Sequence, residues 1–320
     1  MLEWANFTDI GDYLNQMRDV TVGILTYKRP DSLTNTLNSM AALCSSSAHH
    51  RLAEVLIIDN DPDASARMAV AIAQANGFPH PLSFHHEPEP GISAGRNRAM
   101  DEAKGSVLVF IDDDELALED WPDGLIRVMD DTGASLVGGP VRTEFEQPAP
   151  AWITQGGFFD RAEPADQQPQ RWLRSGNLAI DLERIRRDNI RFDPAFGLTG
   201  GEDVAFSRTA RKKGHELSWS ATAVVVENVG PERTRLRWLT DRERNSTANW
   251  VRVETFLEPG VKQKVIIASR AAARLGEGIG RLAIGLATLN RPRAATGLVT
   301  IARGIGSIQG LASMTQQSYL

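Results

Sequence analysis

Short apolar segments alternate with segments of helical periodicity along the first half of the chain. VTVGIL, EVLIID and VLVFI are almost continuously apolar, and each is followed by a stretch in which apolar residues recur every three or four positions. Continuously apolar strands are buried on both faces, and strands that alternate with helices form parallel sheets. Residues 20–140 therefore predict an α/β fold, a doubly wound and mainly parallel sheet covered by helices.

The pattern becomes less regular after residue 140. Residues 141–172 are rich in Pro, Gln and Gly, and we predict a long irregular loop that folds over a site. RSGNLAI and HELSWSATAVVVEN then predict further strands, while DLERIRRD, the end of GLTGGEDVAFSRTARKKG and residues 235–257 predict helices. The last sixty residues form two apolar and basic segments, broken at Asn290-Arg291-Pro292.

Composition limits the classes of protein to which the chain can belong. The 320 residues are 42% hydrophobic, which suits a globular protein, and the single cysteine excludes an internal disulfide framework. No Cys/His spacing suits a structural zinc site. The N-terminus carries acids and has no apolar core of a signal peptide, so we expect a protein of the reducing cytoplasm.

Four carboxylates follow directly on the apolar strand VLVFI, at Asp112, Asp113, Asp114 and Glu115. Ligands of such sheets bind beyond the carboxyl ends of the strands, so these residues are expected at a ligand site. Adjacent carboxylates repel one another unless a cation or hydrogen bonds offset the repulsion, and oxygen ligands favour Mg²⁺ or Mn²⁺. In an extended segment Asp112 and Asp114 would converge while Asp113 faces away. The alternative interpretation is an acidic turn that is exposed to solvent and binds no ligand.

Four motifs occur together in a characteristic order. They are GILTYKRPDSL, EVLIIDNDPD, PGISAGRNRAMDEAKGSVLVFIDDDE and GNLAIDLERIRRDNIRFDPAFGLTGGEDVAFSRTARKKG. In this order and spacing they resemble glycosyltransferase family 2, and most of all the bacterial exopolysaccharide enzymes of the succinoglycan type. The resemblance covers about residues 20–230 and implies the GT-A fold, with an acceptor-side extension and a C-terminal helical tail.

The resemblance implies a nucleotide-binding set. Tyr27 and Asp59 match positions that cradle the nucleotide base in the family, and Arg96 matches a position on the nucleotide side of the pocket. The candidate nucleotide-binding set is completed by Thr26, Arg29, Asp112 and Asp113.

The resemblance also implies a metal site and a base. Asp112 and Asp114 match the ends of the family's Asp-x-Asp, where the first touches the ribose and the second ligates Mn²⁺ or Mg²⁺. Glu202 and Asp203 match the pair whose aspartate is the general base of inverting members. A plain helix cap is the alternative for this pair. The chain departs from the family at Val226, which stands where many members have a histidine.

The resemblance and the pattern together predict four regions. Residues 1–19 are an N-terminal extension, 20–140 the nucleotide-sugar-binding half, 141–257 the acceptor-binding half with the catalytic base, and 258–320 a basic amphipathic helical tail. Residues 261–320 carry eight basic residues and one acid, although the whole chain has a net charge of −6. Such a tail suits an anionic membrane surface, and two packed helices or a dimer contact are the alternatives. Its aromatic content is too low for nucleic-acid stacking.

The predicted function is therefore inverting transfer of a sugar from a nucleotide sugar, most simply a UDP-sugar. The acceptor would be a glycan or a lipid-linked oligosaccharide in cell-surface polysaccharide synthesis, at the inner face of the plasma membrane. A sugar nucleotidyltransferase is an alternative, although LTYKRP lacks the expected glycine-rich loop. A non-catalytic nucleotide- or glycan-binding protein is another, and it predicts loss of the base, whereas Asp203 is present.

Overall fold

The computed structural model describes residues 17–47, 49–118 and 120–312, so the predicted N-terminal extension lies almost entirely outside it. The strands are β1 (Arg18–Thr26), β2 (His50–Asp59), β3 (Leu82–His86), β4 (Val107–Asp112), β5 (Glu115–Ala117), β6 (Leu136–Gly138), β7 (Val141–Phe145), β8 (Asn177–Asp181), β9 (Leu217–Trp219) and β10 (Val225–Val229). The helices are α1 (Pro30–Met40), α2 (Arg67–Ala75), α3 (Ile92–Glu102), α4 (Trp121–Thr132), α5 (Ala151–Gly156), α6 (Leu182–Arg187), α7 (Glu202–Lys212), α8 (Leu236–Leu257), α9 (Val261–Ala287) and α10 (Arg291–Leu311), with a 3₁₀ turn at Pro194–Phe196.

The main sheet has seven strands in the order β3-β2-β1-β4-β8-β6-β9. The pairs β3–β2, β2–β1, β1–β4 and β6–β9 are parallel, and β8 is antiparallel to β4 and β6. In the register, Thr26 lies opposite Asp59, and Leu25 lies opposite Asp112. The carboxyl ends of β1, β2 and β4 therefore meet at one edge, and the predicted mainly parallel sheet is confirmed.

Two apolar layers cover the two faces of this sheet. Alternate residues of β4 point to opposite faces, so Val107 and Val109 join one cluster while Leu108 and Phe110 join the other. Helices α1, α2 and α4 cover the first face, and α3, α6 and α7 cover the second. Since nearly all residues of the central strands β1 and β4 are buried, these strands had to be continuously apolar.

A second sheet of three strands, in the order β5-β10-β7, holds the carboxylate turn from the other side. β10 runs antiparallel to β5 and parallel to β7. The prediction of an irregular loop over residues 141–172 is wrong in part, because β7 and α5 lie within it. The segment VRTEF of β7 carries Arg142 and Glu144 and is only half-buried, so it lacks the apolar run by which strands are recognised.

The predicted break at Asn290 separates two long helices. The side chain of Asn290 accepts a hydrogen bond from the N–H of Arg293 at 2.9 Å and so caps α10. Glycines let α9 and α10 pack closely, as at Gly278 and Gly285, and Gly306 and Gly310 bring α10 against the backbone of α8. Within the described ranges, no helix combines the length and apolar character needed to cross a membrane.

Replacing Gly285 by alanine is expected to destabilise this helical pair. A Cβ there would lie 2.4 Å from the backbone nitrogen of Ala294. Overpacking of this kind typically costs about 1–3 kcal/mol, so the urea midpoint of unfolding should fall. Gly276 is the matched control, because a Cβ there meets no atom within 4 Å. Gly276→Ala should leave stability unchanged or raise it by up to about 1 kcal/mol. Equal losses in both variants would contradict this packing.

Candidate active site

The carboxylates after β4 are held at the sheet edge by hydroxyl groups of β1 and α1. The Thr26 hydroxyl donates to Oδ2 of Asp113 at 2.8 Å. The Thr36 hydroxyl lies 2.9 Å from the carbonyl oxygens of both Asp113 and Glu115. The structure therefore brings the predicted residues Thr26 and Asp113 together, with Asp113 almost fully buried.

The expected alternation of the three aspartates is wrong, because the strand ends at Asp112 and the chain turns through Asp113 and Asp114. Arg29 Nη1 lies 3.3 Å from both Oδ1 of Asp113 and Oδ2 of Asp114. Arg233 Nη2 also donates to Oδ2 of Asp114 at 2.8 Å. Asp113 is thus part of the site, and two guanidinium groups balance the charge of Asp114.

Asp112 and Glu115 form a second, less balanced pair of acids. Oε2 of Glu115 accepts the backbone N–H of Asp112 at 3.1 Å. A Cβ at Gly176 would lie 2.9 Å from Oε1 of Glu115 and 3.0 Å from Oδ2 of Asp112, so the carboxylates pack directly on this glycine. Water still reaches 49% of the Asp112 side chain, which lines a cleft, whereas Glu115 is buried.

Burial and mutual repulsion shift the protonation of these acids. Partial removal from water raises the pKa of Asp112 to about 6, with nearby Arg96 opposing the shift and Asp114 adding to it. Burial likewise raises the pKa of Asp113 to about 6, against the hydrogen bond from Thr26. The pKa of Glu115 lies well above its usual range, because of burial and then the charge of Asp112. The cluster therefore favours any partner that brings positive charge.

Arg96 and Glu202 form a buried ion pair that ties α3 to α7. The guanidinium of Arg96 also lies 5.9 Å from the ring centre of Phe110 and 5.6 Å from that of Phe192. Its Nη2 is 4.0 Å from Oδ1 of Asp112. Arg96 therefore stands between the carboxylates of β4 and the start of α7.

Glu202 does not have the catalytic contact that the resemblance implies. Its side chain is only 4% exposed, and within the described residues its Oε2 has no hydrogen-bond partner. In this structure the Glu202 carboxylate is enclosed and paired with Arg96, so its catalytic role stays a prediction and the contact observed is with Arg96. The two residues of the predicted pair therefore differ in exposure: Glu202 is buried and its neighbour Asp203 is half-buried.

Asp203 remains reachable at the start of α7. It is half-buried, and its Oδ1 accepts the N–H of Val204 at 2.7 Å. Gly201 precedes the helix with a φ of +94°, a conformation that side chains rarely adopt, and a Cβ there would lie 3.0 Å from Val253 of α8. Asn249 of α8 donates to the carbonyl of Thr199 in the same loop. Helix α8 thus fixes the loop that leads into α7 and so the position of Asp203.

The structure gives Asp59 a different role from base recognition. Its Oδ1 accepts the N–H of Asp61 at 3.0 Å, and its Oδ2 accepts the N–H of Ala66 at 2.8 Å. Asp59 has no exposed surface, and this burial raises its pKa, although the two hydrogen bonds oppose the shift. The predicted contact with a nucleotide base is not available in this conformation. Tyr27 directly follows β1 and is half-buried, and its contact with a nucleotide base stays a prediction.

Sequence reasoning missed an arginine–glutamate chain beside the aspartates. Arg233 Nη1 donates to Oε1 of Glu227 at 2.9 Å, and Arg161 pairs with Oε2 of the same carboxylate. Glu227 faces Glu115 across the β5–β10 pair. Glu227 could have been found from the sequence, because it follows Val226 in the segment already compared with the family. Nothing in the sequence pointed to Arg161 or Arg233.

The residues at this edge have the donor chemistry of a divalent-cation site. Asp112 and Asp114 offer carboxylate oxygens, the ligands of Mg²⁺ and Mn²⁺. Among the described residues no group of three or more acidic, His or Cys side chains forms a complete metal cage. One or two carboxylates with phosphate oxygens from a ligand are sufficient for these ions, so the residues fit a metal held jointly with a diphosphate.

The chain is similar to known glycosyltransferases over most of its length. A family model described as glycosyl transferase family 2 matches residues 21–187. The succinoglycan biosynthesis protein ExoM of Rhizobium meliloti is 32% identical over 263 residues, or 81% of this chain and 82% of that protein. The glycosyltransferase AglE of Haloferax volcanii is 22% identical over 216 residues, or 66% of this chain and 67% of that one.

Two solved structures share the fold. The mannosyltransferase PcManGT of Pyrobaculum calidifontis, in complex with GDP-Man and Mn²⁺, has a TM-score of 0.66 at 16% identity and covers 93% of this chain and 88% of its own. GalNAc-T7 with UDP, GalNAc and Mn²⁺ has a TM-score of 0.53 at 18% identity over 74% of this chain. The chain spans 47% of GalNAc-T7.

The fold, with its carboxylates at the edge of a mixed α/β sheet, is that of the GT-A class of glycosyltransferases. The match of the family model and the identity to ExoM specify the class further. The protein belongs to glycosyltransferase family 2. The predicted fold and family are both confirmed.

Breaking the Arg96–Glu202 pair is expected to destabilise the protein strongly. Glu202→Leu would leave a buried guanidinium without its counter-charge, which typically costs about 3–5 kcal/mol. The double variant Arg96→Met/Glu202→Leu should regain a large part of that loss, because both buried charges are then removed. Urea unfolding measures the free energies.

The exposed pair Arg187–Glu183 on α6 is the control, with side chains 67% and 78% exposed. Glu183→Leu should change stability by less than about 1 kcal/mol. The single variant Arg96→Met completes the comparison. If the loss of stability in the double variant equals the sum of the losses in the two single variants, the two charges do not interact.

Proposed function

We propose that this protein is an inverting, metal-dependent glycosyltransferase that uses a nucleotide sugar, most simply a UDP-sugar. The acceptor is a glycan or a lipid-linked oligosaccharide of a cell-surface polysaccharide. The observation that carries the proposal is the Arg96 bridge, which joins the carboxylate edge to the helix whose first turn carries Asp203. The name of ExoM, and the nucleotides and Mn²⁺ named for the two solved structures, support it.

On the donor side, the side chains around the turn bind the nucleoside diphosphate. Tyr27 stacks on the base, and Asp112 faces the ribose. Arg29 and Arg233, which now neutralise Asp114, lie where they can also contact phosphate oxygens. Asp114 and Asp112 would hold Mn²⁺ or Mg²⁺, which when bound neutralises charge on the leaving diphosphate.

On the acceptor side, Asp203 acts as the general base. An acceptor hydroxyl attacks the anomeric carbon from the face opposite the diphosphate, and the bond from that carbon to the diphosphate oxygen breaks. The hydroxyl proton passes to the Asp203 carboxylate, so the configuration inverts in one displacement. Glu202 and Arg96 keep the first turn of α7 in register with the carboxylate edge.

Replacing Asp203 by asparagine should lower kcat by about 10²–10⁴-fold while the KM of the donor changes little, because only the proton acceptor is lost. Release of nucleotide from a panel of nucleotide sugars with Mn²⁺ or Mg²⁺ measures this.

Asp114→Asn should lower activity and raise the metal concentration needed for half-maximal rate. Asp131→Asn, at an exposed residue of α4, is the control. Full activity in Asp203→Asn would refute the base, and full activity in Asp114→Asn would refute the metal ligand.

We also propose that the outer face of α9 rests on an anionic membrane surface, where a lipid-linked acceptor would be found. Helix α9 packs on α10 through its buried small residues and leaves large apolar side chains exposed on the other face. Val265, Ile279 and Leu286 are 61%, 60% and 63% exposed. The exposed Lys262, Lys264 and Arg270 of α9 supply charge complementary to anionic lipid.

The double variant Val265→Asp/Leu286→Asp of the full chain should lose binding to vesicles that contain phosphatidylglycerol, as measured by co-sedimentation. Wild type should bind these vesicles and ignore pure phosphatidylcholine at physiological salt. Met68→Asp/Ile72→Asp is a matched control, since these side chains of α2 are also exposed, by 70% and 53%. Unchanged vesicle binding in the α9 variant, or self-association in place of vesicle binding, would contradict this orientation.

A further inference from the structure

A large cavity lies beside the carboxylate edge, outside the donor residues discussed above. It has a volume of about 800 Å³ and is enclosed by residues 156–174, the first part of α8 and one face of α10. Pockets that hold small-molecule ligands usually measure about 300–1,000 Å³, so the space suits a sugar unit or two. Aromatic rings, including Phe159, Trp172 and Trp219, form part of its wall.

The charged side chains of this cavity are not balanced. Arg303 is paired with Glu243, and Glu163 with Arg142 outside the wall. Within the described part of the chain, Arg174 and Arg242 have neither a hydrogen bond nor an ion pair. Asp160 is the acid of the wall that has no ion pair among the described residues. The remaining arginines of the wall are Arg161 and Arg171.

Arg242 is held against aromatic rings in this wall. Its guanidinium carbon lies 5.6 Å from the ring centre of Phe159 and 5.3 Å from that of Trp238. Burial, and then the positive charge of Arg161, lower its pKa, although Glu227 opposes the shift. A guanidinium held against two aromatic rings without a counter-ion gains from any anion that enters the cavity.

The cavity connects with the donor residues through shared side chains. Arg161 lines it and pairs with Glu227, which binds Arg233, and Arg233 binds Asp114. On the other side Trp172 packs against the apolar cluster that includes Val204 of α7, the helix that begins with Glu202 and Asp203. The cavity wall is therefore linked through side chains both to the carboxylate turn and to α7.

We propose that this cavity binds the acceptor and that Arg242 and Arg174 recognise an oxyanion on it, either a phosphate or a sugar carboxylate. This inference rests on the proposed transferase function, because only a transferase has an acceptor. The planar guanidinium fork suits both oxyanions, which it binds through two parallel hydrogen bonds. The aromatic wall offers apolar faces to the sugar rings. Acidic or phosphate-bearing acceptors are thus preferred to neutral ones.

The test measures how small sugar probes bind to the full chain in the absence of donor and metal. Isothermal titration calorimetry or ligand-observed NMR gives the affinities. The probes are glucose 1-phosphate, glucuronate and methyl glucoside. One or both anionic probes should bind at least about tenfold more tightly than methyl glucoside, and added salt should weaken that binding. Arg242→Gln and Arg174→Gln should each reduce the affinity for the anionic probe by about tenfold or more, as expected for loss of a charged hydrogen bond.

Two controls make the result specific. Arg187→Gln, at an exposed arginine of α6, and Arg237→Gln, at an exposed arginine of α8 outside the cavity wall, should keep the affinity for the anionic probes. Arg174 is exposed, so Arg174→Gln remains informative if Arg242→Gln fails to fold. Preference for phosphate over carboxylate, or the reverse, identifies the source of the oxyanion.

Equal binding of methyl glucoside, full affinity in the folded Arg242 and Arg174 variants, or an equal loss in Arg237→Gln would overturn the proposal. Failure of the transferase function has a different signature. In that case the anionic probes still bind through Arg242 and Arg174, but no nucleotide sugar is turned over.

Discussion

Repulsion among carboxylates gathered at one end of a parallel sheet is the constraint on which this structure depends. Asp112, Asp113, Asp114 and Glu115 follow one buried strand, and β10 adds Glu227 to the same edge. Like charges at this spacing raise one another's pKa and cost free energy unless cations offset them. The fold answers with arginines from distant parts of the sequence, which come from the loop after β1, from α3, and from the segments before β8 and after β10.

This arrangement explains why one set of residues can serve both stability and chemistry. In the proposed function, Arg29 and Arg233, which pair with Asp114, would also contact phosphate oxygens. Arg96 contributes differently, since it is buried against two phenylalanine rings and paired with Glu202. It links the sheet edge to α7, so that Asp203 is held at a fixed place relative to the carboxylates.

Much of this organisation could be predicted from the sequence, because the strands are continuously apolar and their ends are marked by polar residues. The edge that joins Thr26, Asp59 and Asp112 follows from parallel register alone. The roles of individual acids could not be predicted, since they depend on burial: Glu202 and Asp203 are adjacent in sequence, yet one is enclosed and the other is reachable. β5 and β7 were missed because short, half-polar strands carry no periodic signal.

The central claim is that the carboxylate edge binds a nucleoside diphosphate together with a divalent cation. Titration of UDP into the full chain tests it most directly, once with Mn²⁺ and once with EDTA. The account predicts that UDP binds at least about tenfold more tightly with Mn²⁺, since a metal-bridged diphosphate gains interactions that a free one lacks, and that Asp114→Asn removes this difference. Equal affinity with and without Mn²⁺ in the wild-type protein would contradict the account.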